Sequence, residues 1–339
     1  MFALPIKPTI RTALVLGCAL LGLDVAAAHA ATPLTVVLGY IPDVESFGAY
    51  YAKEKGYFTD AGLDVTLIPA GTGIDQVQMV DSGQAIIGIG SPEQVIAATD
   101  KGVKLKVFAS EFQTSPVSMT CRKDSGVTKP AELKGKRLGV KQNAQLFAKL
   151  FLSKNGLSMD DVTPTTIGGS DISLIIAGKI DCMITTFAFN EPALIEQAGV
   201  PVNVLRLGDY GLNSQTDSYF VKADWYADPK NQDVLVKYMQ AEGKAWDAFF
   251  KDPAGLSKWF VDQAFNDGLN VEQQQFQGTT QVKYMADALT AEKGIFWVNP
   301  KTWEETATNT VATGAAKAVP DLSVLLTDEI MTKAALPKH

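Results

Sequence analysis

LGYIPDVESFGAYYAKEKGYFTDAGLDVTL, residues 38–67, decides the fold. It opens at the end of an apolar, β-branched run (34–38) and passes through a turn containing Pro42. It then takes helical spacing over 47–55 and returns to a strand pattern at 64–68. Tyr50, Tyr51 and Tyr57 are spaced like core and rim packing. Strand, helix and strand joined by short connections predict parallel pairing, with helices covering the sheet. The alternation continues outward. Further strand patterns fall at 85–89, 105–109, 117–121, 137–140, 162–167, 181–185 and 202–207. Helical patterns fall at 73–82, 92–101, 144–155, 172–178 and 191–198. From about Tyr226 the pattern becomes long and helical, and this region carries Trp225, Trp246, Trp259, Trp297 and Trp303. One α/β unit, then a second, then helices predicts two lobes facing a cleft. Lobe 1 is expected from 31–114 plus about 216–339, and lobe 2 from 115–215, with hinges near 113–116 and 211–218. Open α/β sheets bind ligands at the carboxyl ends of their strands. The loops after Leu38, Ile89, Ala109, Val140, Thr185 and Leu207 are therefore where function is expected.

Composition narrows the function. The 339 residues are 46% hydrophobic and 20% charged, a globular balance. With 30 basic against 37 acidic residues the net charge is −7, which disfavours nucleic acid as a partner. The two histidines are His29 and His339. Between them no imidazole exists for a Ser-His-Asp triad, a Cys-His pair or an H-E-x-x-H zinc site. Lys7 and Arg11, an apolar stretch over 12–23 and Ala28-His29-Ala30 form an export signal, with cleavage expected between Ala30 and Ala31. Residues 1–30 are thus read as a signal peptide and the remainder as a periplasmic chain. A lipoprotein signal at Leu16-Gly17-Cys18 is disfavoured, because apolar sequence continues past Cys18. No later stretch reaches the ~18 apolar residues of a membrane span, so the exported chain is expected to be soluble. Cys121 and Cys182 remain, either bridged by the oxidising compartment or present as two buried thiols.

Tyr51-Ala52-Lys53-Glu54-Lys55-Gly56-Tyr57-Phe58, followed by Gly62-Leu63-Asp64-Val65, resembles the opening of periplasmic solute-binding proteins. The group concerned is that of nitrate, sulfonate, taurine and thiamine-pyrimidine receptors, which feed ABC importers. Ser91-Pro92-Glu93 and the run 101–109 continue the likeness, which extends from about residue 34 to about 225. Phe189-Asn190-Glu191 and the later Asp209-Tyr210-Gly211 are most similar to receptors for the thiamine pyrimidine precursor. In those receptors the first loop reads Asp-Trp-x-Pro-Asn-x-x-His; here Gly39, Tyr40, Pro42, Asp43 and Ser46 stand at the matching places. The departures are Gly39 for Asp and Ser46 for His. The resemblance implies a type II-like periplasmic binding protein, monomeric, closing on a small molecule and presenting it to an inner-membrane ABC permease. It implies neither cofactor nor metal.

The residues themselves favour one ligand chemistry. Helix N-termini at strand ends suit anions, and a nitrate or sulfonate receptor would add Arg or Lys. Beyond the leader there are only Arg122, Arg137 and Arg206. Two loop-to-helix junctions instead carry carboxylates, Glu93 and Glu191. A carboxylate accepts hydrogen bonds from an aminopyrimidine or a protonated ring nitrogen and repels a sulfonate. Tyr40, Phe47, Phe112, Phe187 and Tyr210 offer flat faces for stacking, and Asp43, Ser91 and Gln142 offer polar contacts. Several of these also read as plain structure. Ser91-Pro92-Glu93-Gln94 is a helix start, Asn190-Glu191-Pro192 another, and Asn143 a cap for the helix that follows. Asp43 suits a bond to its own backbone, and Phe47 suits a core. Gly168-Gly169-Ser170-Asp171 lacks the Lys and the spacing of a P-loop. Three functions compete: a solute receptor, an enzyme on the same scaffold and a partner-binding sensory module. The related pyrimidine synthases are associated with an iron-binding, histidine-dependent site and a cysteine-rich motif, which this chain lacks. The ligands expected are a thiamine-type pyrimidine first, then riboflavin or another nitrogen heterocycle, and then nitrate, sulfonate or taurine.

Overall fold

The computed structural model describes residues 1–2, 31–70, 74–168 and 171–339. The leader with its cleavage signal and Cys18, the turns at 71–73 and 169–170, and the Asn143 side chain lie outside the described residues. Among the described residues ten strands form two five-stranded sheets. The first holds β1 (Thr32–Val37), β2 (Leu63–Ile68), β3 (Ile87–Gly90), β4 (Leu105–Ser110) and β10 (Ser218–Lys222), in the order β2-β1-β3-β10-β4. The second holds β5 (Val117–Arg122), β6 (Arg137–Lys141), β7 (Thr163–Ile167), β8 (Cys182–Phe187) and β9 (Val202–Arg206), in the order β7-β6-β8-β5-β9. The two sheets thus share one topology.

The opening stretch folds as its pattern predicts. β1 and β2 pair in parallel from Thr32 opposite Leu63 to Val37 opposite Ile68. Between them runs the helix Phe47–Glu54, stopped by Gly56, whose φ of +73° a side chain would resist. Along β1 the alternation of a strand divides two buried cores. Leu34, Val36 and Leu38 enter one cluster and Val37 the other, so both faces of the sheet are covered. The expectation of a mostly parallel α/β architecture holds, with one exception in each sheet. β10 runs antiparallel to β3 and β4, and β5 antiparallel to β8 and β9. Each is the strand that follows a crossing between sheets, so it enters from the opposite end. β10 was not among the strands expected from the sequence. Ser218-Tyr219-Phe220-Val221 has the β-rich composition, but it abuts the helical region and is masked by it.

The late helices pack on the first sheet. Pro229–Lys251 buries Leu235, Tyr238, Met239, Trp246 and Phe249 in the cluster that holds Leu34 and Val36. Trp303, on the helix Pro300–Ala312, enters the cluster of Val37. In the second sheet Cys121 stands directly opposite Cys182, and the two form a disulfide buried from solvent. The open choice between a bridge and two thiols is thereby closed. Among the described residues no helix is long and apolar enough to cross a membrane.

The chain passes between the sheets after β4 and again after β9, and the two crossings are tied together. Glu111 and Phe112 donate their N–H groups to Asp217 and Thr216 carbonyls at 3.0 and 3.2 Å. The Gln215 amide donates to Gln113 Oε1 at 2.6 Å, and Ser115 N–H to Asn213 Oδ1 at 3.1 Å.

Candidate functional site

A cavity of about 480 Å³ lies between the sheets and adjoins a second of about 240 Å³; Ser91, Gln94, Lys141, Phe187 and Asp217 line both. One wall is the carboxyl end of β3, where Gly90 and Ser91 lead into the helix Pro92–Asp100. The facing wall is the carboxyl ends of β6 and β8, with Lys141, Thr185 and Phe187. The second crossing supplies Asn213, Ser214, Thr216 and Asp217. An apolar side comes from Leu146, Phe147 and Leu150 on the helix Gln145–Lys154. This is the strand-end position that an open α/β sheet offers to a ligand.

Ten residues were singled out from the sequence, and the structure brings five of them to the cavity wall: Tyr40, Ser91, Glu93, Phe187 and Glu191. Ser91 also caps its helix, accepting from Gln94 N–H at 3.2 Å. Burial pushes the Glu93 carboxyl above its ordinary range, against hydrogen bonds from its own backbone, Ser91 and Ser214. Glu191 is buried with both oxygens engaged within the protein. Oε1 accepts from Lys141 Nζ at 2.9 Å, and Oε2 from Phe187 N–H at 2.7 Å. It therefore braces the ends of β6 and β8. The other five sit elsewhere. Phe47 is fully buried, stacked on Tyr51 with centroids 4.8 Å apart and 4.4 Å from Phe249. Phe112 is fully buried against Phe189. Gln142 is exposed. Tyr210 packs edge-on to Phe151 behind the second sheet's core. Asp43 caps a 3₁₀ turn by accepting from Glu45 N–H at 2.9 Å, and it also accepts from Gln277 Nε2 at 3.0 Å. Burial raises its pKa to about 6. Of the five aromatic residues expected to stack on a ligand, Phe47 and Phe112 are instead buried in the core, because spacing alone does not say which core a ring enters.

Two carboxylates that the sequence reading passed over are central. Asp217 lines both cavities, and its φ of +52° is a conformation few non-glycine residues adopt. A Cβ at Gly39 would stand 3.0 Å from Asp217 Oδ1, so glycine there is what lets the carboxylate sit where it does. Burial first, and the Asp43 charge second, push Asp217 up to about 7. Glu45 lines the deeper cavity and is pushed well above its usual range by burial and by the nearby charge of Asp217. Thr185 is a second wall residue at positive φ, +62°. It is the extra residue of a β-bulge, since Ser118 pairs with Thr186 and Met119 with Ile184. The signal for Asp217 was in the chain, as an acid within the second crossing, but its meaning depends on Gly39, 178 positions away in sequence.

The charge balance of the wall is one-sided. Glu45, Glu93, Asp217 and Glu191 face it, and Lys141 is the basic residue among them, already paired with Glu191. The arginines are spent elsewhere: Arg122 on Asp124, Arg137 on Asp181 and Arg206 on Asp209. His339 stacks on Phe250 beside Asp247, off the cavity lining.

Two such sheets with paired crossings and a cleft at their strand ends define a periplasmic-binding-protein fold. The periplasmic aliphatic sulphonate binding protein of Escherichia coli shares it, with a TM-score of 0.67 at 17% identity over 88% of this chain and 99% of that one. The chain belongs to the NMT1/THI5-like family, whose model matches residues 43–255. Among curated relatives, a riboflavin-binding protein of Chloroflexus aurantiacus is 24% identical over 88% of this chain and 86% of its own length. A 4-amino-5-hydroxymethyl-2-methylpyrimidine phosphate synthase of Saccharomyces cerevisiae is 25% identical over 71% of this chain and 75% of its own.

Proposed function

We propose that this chain is the periplasmic substrate-binding component of an ABC importer. It holds a small, amine-bearing nitrogen heterocycle of the thiamine-pyrimidine type between its lobes. Lobe 1 comprises residues 31–114 and about 216–339, lobe 2 residues 115–215, and closure occurs about the two crossings. The observation that carries this reading is the wall charge: Glu45, Glu93 and Asp217 face the cavity, and its single lysine is bound to Glu191. Such a wall repels nitrate and sulfonate and accepts hydrogen bonds from amines and protonated ring nitrogens. Phe187 and Tyr40 supply the flat faces. On this reading the protein acts as a binder rather than a catalyst, in keeping with the relative named as a riboflavin-binding protein. The relatives named for riboflavin and for a pyrimidine phosphate agree with a heterocycle. The test is a thermal-shift panel of aminopyrimidines, thiamine, riboflavin, taurine, alkanesulfonates and nitrate on protein freed of carried-over ligand. A solute at 100 times its Kd adds about 2.7 kcal/mol. A shift with an aminopyrimidine or riboflavin is expected, and a shift with taurine or nitrate alone overturns the ligand class.

A further inference from the structure

Beneath the cleft floor lies a small chamber of about 10 Å³, close to the space one water molecule occupies. Glu45, Glu111, Asp217 and Glu242 line it, with Tyr219. Gly39, Glu45 and Asp217 belong to both the chamber and the cleft above it, so the two adjoin at the place where residue 39 has no side chain. Glu111 is 4% and Glu242 2% exposed. The Tyr219 hydroxyl reaches Glu242 Oε1 at 2.9 Å and Glu111 Oε2 at 3.3 Å. Glu111 Oε1 and Asp217 Oδ2 are buried with no hydrogen-bond partner among the described residues, whereas Glu242 also has the Tyr238 hydroxyl and the Trp246 indole beside it. A buried polar atom without a partner costs about 1–3 kcal/mol, and two beside one chamber call for a common occupant. That occupant is the size of water, rich in donors and favoured by positive charge.

We infer that this chamber is a subsite for one amino or ammonium group of the transported solute, entering past Gly39, with Asp217 and Glu111 as its acceptors. The amine is then the specificity-determining part of the ligand, while the ring lies in the cleft against Phe187. This rests on the receptor reading above and deepens it by assigning the place where the amine is held. The raised pKa of Asp217, to about 7 and caused first by burial, fits a group that gains a donor when the solute arrives.

The experiment is calorimetric titration of the purified protein with 4-amino-5-hydroxymethyl-2-methylpyrimidine and with its analogue carrying hydrogen in place of the amine. Riboflavin and taurine serve as controls. The expected result is a preference of at least about 100-fold for the amine, the scale of more than one hydrogen bond to a charged acceptor. Asp217→Asn and Glu111→Gln, each checked for folding by circular dichroism, are each expected to cut that preference about tenfold or more, read as the ratio of the two affinities measured on the same variant. Equal affinity for the two pyrimidines overturns the subsite and leaves the receptor reading standing, as does a preference that survives in both variants. So does binding of riboflavin alone, which has no projecting primary amine. Binding of taurine alone, or of none of the four, overturns both.

Discussion

Gly39 and Asp217 make a single unit: the missing Cβ at one is the room for the carboxylate of the other. Gly39→Ala forces Asp217 Oδ1 to give way, and a loss of about tenfold or more in solute affinity is expected with little change in fold, since Gly39 lies in a loop at the cleft. Titration of the variant against wild type checks this, and equal affinity would show Asp217 to be a bystander. Glu242 makes a prediction of opposite kind. Burial raises its pKa from 4.5 to about 7, so the folded protein keeps a proton that the unfolded chain has released across that window. Its contribution to stability is therefore present below about pH 4.5 and lost as pH rises toward 7. Glu242→Gln stays neutral throughout and still accepts from Tyr219 through its amide oxygen. The fall in stability of wild type between pH 5 and 8 should be smaller in the variant, by a margin on the order of 3 kcal/mol. Melting curves at several pH values measure it, and parallel pH profiles would refute it.

At the scale of elements, β5 and β8 carry both the disulfide and the bulge. Cys121 and Cys182 face each other on neighbouring antiparallel strands, separated by 61 residues in sequence. In the chain-entropy account a loop of that length gives a stabilisation of about 4 kcal/mol, and measured bridges typically give 2–4. The double variant Cys121→Ala/Cys182→Ala is expected to lose about 2–4 kcal/mol in a denaturant titration, with solute affinity retained, because neither residue lines the cavity. Further along β8, the bulge at Thr185 re-aims the strand end so that Phe187 and the Glu191 brace meet the cleft. The helix starts read from the sequence at Ser91 and Glu191 are both real, and both also stand on the cavity wall. One residue serves as cap and wall because strand ends and helix starts coincide in an α/β fold.

At the scale of the molecule, everything depends on two crossings. Gln215 joins them to the helical region: its amide donates to Gln113 Oε1 and to the Trp297 carbonyl, and its Oε1 accepts from Asn299 N–H. Gln215→Ala leaves buried groups on three segments without partners, and a loss of about 2–4 kcal/mol is expected in thermal or denaturant unfolding. If the crossings act as hinges, saturating solute lowers the radius of gyration in small-angle scattering. An unchanged profile in a protein that binds would place closure elsewhere.

Much was legible in the chain itself. Period-2 and period-3.6 patterns are local properties of the polypeptide, so nine of the ten strands and the order of two α/β units could be read directly. The tenth strand was hidden because its role as the antiparallel insert of the first sheet comes from where the chain re-enters, not from its own composition. The site divided along the same line. Residues at strand ends and helix starts, such as Ser91, Glu93 and Phe187, reach the cavity by topology alone. Glu191 was found for its position, but its partner Lys141 comes from another strand, and that pairing turns a candidate anchor into a brace. Phe47 and Phe112 were drawn inward because a ring goes where most apolar surface surrounds it, and that surface is assembled from distant segments. The acidic floor was beyond the sequence for the same reason: Glu45, Glu111, Asp217 and Glu242 are scattered over nearly 200 positions, and only the folded chain brings them to one chamber.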